Sequence, residues 1–194
     1  MTLSQPTQQP GLPWDQGGLN IGALAQTWVM VTFRPGQAFS LPEGGQWKQW
    51  LLFAVIINGL VMLGTWVFLA GAAPSVGTIE FLERQGFVIL LNLVVMVYQA
   101  GLINVLIKFI TRTHASFQTA LRVACYSQSV MLFLVLEPLA GLSVKMICFF
   151  WNIAVMTIGT RHCYKISLGR AIAVNVIYAV LTIFVQMTLN LGQA

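Results

Sequence analysis

The chain has 194 residues, of which 57% are hydrophobic and only 8% charged, with a mean hydropathy of +0.79. A soluble domain of this length carries about a quarter charged residues, so most of this surface must face lipid rather than water. The net charge of +5 does not point to nucleic acid, because the ten basic residues stand singly or in small groups between apolar runs, as membrane-helix flanks do.

Residues 1–20 are polar and rich in Pro, Gln and Gly, without the basic start and apolar stretch of a secretory signal. They read as a flexible cytoplasmic tail whose one notable feature is Pro13-Trp14-Asp15, with Trp14 expected at headgroup level. Residues 21–46 read as a short amphipathic helix and linker. Asn20 is the expected N-cap, and Pro35-Gly36 the stop after Arg34. Ile21, Leu24, Trp28 and Val31 share one face, and Gln26 with Thr27 another. Fourteen or so residues fall short of the ~30 Å hydrocarbon layer. An interfacial helix is expected, with Trp14, Trp28 and Arg34 as its contacts. A connector packed on the bundle is the alternative.

Residues 47–194 then supply five apolar runs, at about 50–72, 87–107, 118–136, 142–159 and 171–191. The expected fold is all-α, a polytopic membrane bundle of five transmembrane helices. Glu137-Pro138-Leu139-Ala140-Gly141 can only form a tight hairpin between the third and fourth runs. Arg122 and Lys145 each lie about a turn inside a span, close enough to an end to snorkel, and Lys145 is placed to pair with Glu137. Eight of the ten basic residues (Arg34, Lys48, Lys108, Arg112, Arg122, Arg161, Lys165 and Arg170) fall on one side, and only Arg84 and Lys145 on the other. The positive-inside rule then puts the N-terminus in the cytoplasm and the C-terminus outside, which requires an odd number of spans.

Chemistry-bearing groups are few. Asp15, Glu43, Glu80, Glu83 and Glu137 all lie outside the middle of the spans, so no catalytic carboxylate pair is expected. Cys125, Cys148 and Cys163 have no metal-ligand spacing and imply no disulfide framework. No nucleotide, metalloprotease or nucleophile motif occurs. No catalytic, metal or cofactor site is expected, and an intramembrane enzyme would require His114 and His162 to meet. Uncharged polar residues are more numerous: Asn92 and Gln99 share a face of the second span, and Asn175, Tyr178, Thr182 and Gln186 a face of the fifth. They read as a candidate polar interior, either hydrogen-bonding across helices or lining a path for a small solute or ion.

The order and spacing of several residues resemble the Yip1 family of five-span membrane proteins, in particular its bacterial branch. They are Gly11-Leu12-Pro13-Trp14-Asp15, Thr27-Trp28, Arg34-Pro35-Gly36 with Phe39, then Phe117, Ala120, Val123, Tyr126-Ser127, Pro138, Gly141, Trp151, Gly159, Ser167 and Gly169-Arg170-Ala171. The resemblance covers roughly residues 11–180. Tyr164 stands where the family often has His, and the Asp-Leu-Tyr-Gly-Pro stretch of the eukaryotic branch is absent. That branch is associated with Rab-type GTPases and with traffic at the Golgi and endoplasmic reticulum, so Rab binding is not carried over to any residue. For a bacterial chain the resemblance implies the inner membrane, and for a eukaryotic one the Golgi or endoplasmic reticulum. The resulting expectation is a non-enzymatic bundle that organises membrane or recruits protein partners at its cytoplasmic face, with room for a homo-oligomer. A small-solute or ion permease is the alternative.

Overall fold

The computed structural model describes residues 11–17, 20–72, 78–112 and 115–191, with side chains at all of these except 17, 69–72, 78–82, 84, 85 and 185–191. Three short helices, α1 (Pro13–Gly17), α2 (Ile21–Phe33) and α3 (Pro35–Ser40), precede α4 (Trp47–Ala72) and α5 (Thr78–Thr111). The chain then runs through α6 (Phe117–Ser127), a 3₁₀ segment (Gln128–Leu136), α7 (Glu137–Ala140), α8 (Leu142–Tyr164) and α9 (Leu168–Leu191). No strand occurs among the described residues, so the all-α expectation holds.

Among the described residues, four stretches are long and apolar enough to cross a bilayer: Trp47–Phe68, Gly86–Thr111, Phe117–Ala140 and Leu142–Tyr164. The first four expected spans lie on them. The part of α9 whose side chains are described, Leu168–Phe184, is apolar but shorter. The third span gains reach from its winding. At about 2.0 Å per residue rather than 1.5 Å, nine 3₁₀ residues extend it by roughly 4–5 Å. The Glu137 carboxylate does meet Lys145 Nζ across the hairpin, at 2.7 Å.

The two halves of the bundle are built differently. In the half that holds the start of α4 and the ends of α5 and α8, α6 is the axis. Every residue from Thr119 to Ser127 is buried, and α6 packs on α2, α4, α5 and α8. In the other half α6 has given way to the 3₁₀ segment at one side. There α4, the 3₁₀ segment, α8, α9 and α5 touch in that order, and α5 meets α4 again to close the ring.

Residues α1–α3 form a collar over the α6 end, and here the sequence reading needs correction. Gly11 to Asp15, expected in a free tail, fold inward, with Leu12 and Trp14 in the core. Trp14 is 2% exposed and does not face headgroups. In α2 the buried stripe is Ala23, Thr27, Val31 and Thr32, so Thr27 lies on the packed face, while Ile21 is 85% exposed. Asn20 is the N-cap as expected, its side chain accepting from the Gly22 and Ala23 amides.

Gly64 marks a close approach of α4 to the 3₁₀ segment. A Cβ there would lie 2.6 Å from Val135 Cγ1, whereas at Gly59 on the same helix it would meet nothing within 4 Å. Gly64→Ala is therefore expected to destabilise the bundle by about 1–3 kcal/mol through overpacking. Gly59→Ala should be neutral or stabilising, since Ala is the better helix former by about 1 kcal/mol. Thermal loss of monodisperse protein in detergent, compared between the two variants, checks this.

Candidate functional site

The collar is held by side chains that reach across more than a hundred positions of sequence. Proline at the first position of α1 starts that short helix where its missing N–H leaves no gap in the ladder. The turn aims Trp14 and Asp15 into the bundle. The Trp14 amide donates to Thr27 Oγ1 at 3.0 Å, and its indole Nε1 donates to the Gln49 carbonyl at 2.8 Å. Asp15 Oδ1 accepts from Tyr126 Oη at 2.5 Å and from Trp50 Nε1 at 3.1 Å. Asp15 Oδ2 lies 3.9 Å from Arg122 Nη2, with the two side chains 0% and 1% exposed. Arg122 Nη2 also points at the Pro42 carbonyl at 3.4 Å, and Thr119 Oγ1 donates to Glu43 Oε1 at 2.7 Å.

This pair corrects the expectation that Arg122 snorkels to the headgroups. Its guanidinium stays inside because an anion is held there to meet it. The pairing is incomplete: Asp15 Oδ2 and Arg122 Nε are buried with no hydrogen-bond partner. Burial pushes the Asp15 carboxyl above the ordinary carboxylate range, and Tyr126, Arg122 and Trp50 pull it back only in part.

Two further indoles secure α2. Trp28 Nε1 donates to the Ser129 carbonyl at 2.8 Å, and Trp151 Nε1 to the Thr32 carbonyl at 3.0 Å. Thr32 Oγ1 donates to Ser129 Oγ at 3.0 Å. Trp28 was expected at the interface; its N–H instead faces the bundle and caps a carbonyl in the first turn of the 3₁₀ segment. Arg34, at the junction of α2 and α3, is exposed.

Beyond the end of α6 the ring encloses a cavity of about 420 Å³. Of the polar residues expected to form an interior face, Asn92, Gln99, Tyr178 and Thr182 line it. Asn175 does not. It is 0% exposed and donates to the Ala171 carbonyl at 2.9 Å and to Thr160 Oγ1 at 3.3 Å, which ties α9 to α8. The Gln186 side chain lies outside the described residues. Asn58, Thr65, Gln128 and Asn152 add to the polar lining. Asn92 donates to Asn58 Oδ1 at 3.3 Å, and Asn152 to the Ser127 carbonyl at 2.9 Å.

His162 is partly buried and stands beside Gly36, while His114 lies outside the described residues. No group of three or more His, Cys, Asp or Glu among the described residues could hold a metal ion. Cys125 and Cys148 are buried free thiols, and Cys163 is partly buried.

The Asp15–Arg122–Tyr126 cluster was missed in the sequence, although two signals for it were present. A lone arginine inside an apolar run needs a counter-charge. Asp15 directly follows Trp14, the first large aromatic residue of the chain, ahead of the first span.

These features define a polytopic helical membrane protein whose N-terminal segment is locked onto one end of the bundle. The Yip1 domain model matches residues 28–189, most of the chain, and the chain belongs to the Yip1 family. Arg122 and Tyr126 fall within that match, whereas Trp14 and Asp15 precede it. No curated protein and no solved structure matches the chain significantly.

A carboxyl whose pKa is raised by folding binds its proton more tightly in the fold than in the unfolded chain. Its contribution is therefore full below the ordinary carboxylate range and is lost as pH rises through the raised value. Arg122→Met leaves the Asp15 charge buried without its cation and is expected to cost about 3 kcal/mol near pH 7. Lowering the pH toward about 4 should restore part of this loss, as Asp15 takes up a proton. Adding Asp15→Asn to Arg122→Met should restore most of it at pH 7 and abolish the pH dependence. Melting in detergent across that pH range reads all three.

Proposed function

We propose that the protein is a non-enzymatic, five-span Yip1-type membrane protein. Its N-terminus is cytoplasmic and its C-terminus outside, and it organises membrane or recruits partners at the collar end. The observation that carries this reading is the make-up of that end. Arg34, Lys48, Lys108, Arg112, Arg161, Lys165 and Arg170 are all exposed there, and Arg122 alone of the eight basic residues on that side is turned inward. Asp15, the one carboxylate of the collar helices, is buried. On the outer face of α2, Ile21, Val29 and Phe33 stand exposed. A basic rim beside an apolar ridge suits a surface that meets an anionic leaflet or an acidic partner.

Removing residues 1–34 would be a poor test, because it would also remove core residues such as Leu12 and Trp14. Neutralising Arg34, Lys165 and Arg170 to Gln leaves the packing alone. Each is worth about 1 kcal/mol near an anionic surface, so the triple variant should weaken association roughly 100-fold. The readout is recovery of co-purifying proteins and retention on anionic vesicles from matched preparations. Unchanged recovery in both would contradict the proposal.

The polar cavity favours a second reading, passage of a small uncharged solute. Gln99→Leu should then abolish flux in reconstituted vesicles while the protein remains folded. Flux equal to that of empty vesicles for the wild-type protein would end this reading.

A further inference from the structure

We propose that the cavity ringed by α4, the 3₁₀ segment, α8, α9 and α5 binds an uncharged group bearing hydroxyls, with or without ester carbonyls. The glycerol-ester backbone of a neutral lipid and a free polyol are its two possible sources. The inference rests on the cavity and not on the basic rim, so it stands or falls apart from the recruitment proposal. It also requires binding only, not passage across the membrane.

Three observations lead to this chemistry. The first is the carboxamides. Asn58, Asn92, Gln99, Gln128 and Asn152 all face the cavity, from α4, α5, the 3₁₀ segment and α8. Their mutual bonding does not exhaust them. Asn92 uses one N–H on Asn58, Asn152 one on the Ser127 carbonyl, and Gln99 one on Met156 Sδ at 2.9 Å. Gln128 makes no side-chain hydrogen bond within the described residues. Acceptors and donors of both kinds therefore converge on one space. A wholly apolar occupant would leave them unpaired, at the expense that follows from burying unsatisfied polar groups.

Secondly, among the described residues no Asp, Glu, Lys, Arg or His lines the cavity. A charged solute or headgroup would have to shed its water in a membrane interior with no counter-ion to meet it. That discriminates against phosphate, carboxylate and ammonium groups while leaving hydroxyls, esters and amides acceptable.

The third observation is the rest of the wall. Met62, Met96 and Met131 face the same space, with Val61, Val95 and Leu134. Methionine is flexible and polarisable and accommodates irregular apolar shapes. At about 420 Å³ the cavity falls in the size range of small-molecule sites. The end nearest the collar is closed by α6, whose residues Thr119 to Ser127 are all buried, so Met96, Gln99 and Asn152 form the deep part. An amphiphile with a polar uncharged centre and an apolar remainder fits both sets of groups at once.

The test uses the full-length protein in nanodiscs with two probes, a photoactivatable diacylglycerol and radiolabelled glycerol. Saturable crosslinking of diacylglycerol to peptides of α5, α8 or the 3₁₀ segment is expected, competed by unlabelled diacylglycerol and not by phosphatidylglycerol. Saturable glycerol retention without diacylglycerol labelling would identify the free polyol as the source and would equally support the inference. Gln128→Leu, which removes a side chain that bonds no described residue, should reduce binding about tenfold with an unchanged melting temperature. Met62→Trp should block binding by filling the cavity. Competition by phosphatidylglycerol as strong as by diacylglycerol, labelling unaffected in both variants, or no saturable binding of either probe would each overturn it.

Discussion

An arginine in the middle of a buried helix is the constraint around which this fold is arranged. Arg122 sits on α6, within the stretch Thr119–Ser127 that is buried at every residue, and its guanidinium is shut off from water. The counter-charge comes from Asp15, more than a hundred residues earlier, on a helix of five residues that has no stability of its own. The ionic contact is loose and two of its polar atoms lack partners, so the pair is poor evidence of net stabilisation. Its physical role is better described as selection. With Asp15 withdrawn, Arg122 would face a bundle interior without an anion, so the arrangement with the collar closed is favoured over any arrangement with the N-terminal segment free. Trp50 and Tyr126 reinforce the choice by donating to the same carboxylate oxygen.

The collar in turn fixes the rest. Once α1 to α3 cover the end of the bundle, α6 is surrounded by α2, α4, α5 and α8, and it fills the centre of that half. The 3₁₀ segment that follows moves the chain to the rim, and the centre opens into the polar cavity. Ser127 and Ser129, on either side of the change from α to 3₁₀, offer carbonyls to Asn152 and Trp28. The collar and the cavity are thus joined through one short stretch of backbone. Small-residue contacts complete the fit: α4 passes Val135 at Gly64, and α8 passes Phe39 and Val123 at Gly159.

Four of the five expected spans were legible in the sequence because lipid imposes a local rule, an unbroken apolar run of sufficient length. The Glu137–Lys145 pair was legible for a similar reason, since both residues flank one tight turn. The collar was not. Leu12 and Trp14 are too few to make a periodic signal, and their burial is decided by Thr27, Gln49 and Phe53 from other elements. Thr27 was assigned to the polar side of α2 because a helical wheel weighs hydrophobicity, while the position is used for hydrogen bonding. Spacing along a helix shows which residues share a side, as for Tyr178 and Thr182, but not that Asn175 on the same face is consumed by Thr160 and its own helix.

Residues 11–17 are part of the folded bundle and not a tail attached to it. Amide hydrogen exchange of the full-length protein in nanodiscs tests it directly at Trp14 and Asp15, whose N–H groups donate to Thr27 Oγ1 and to the Leu12 carbonyl. Protection of both amides comparable to that of α2 is the predicted result. Exchange at the rate of an unstructured peptide would show that the collar does not close on Arg122.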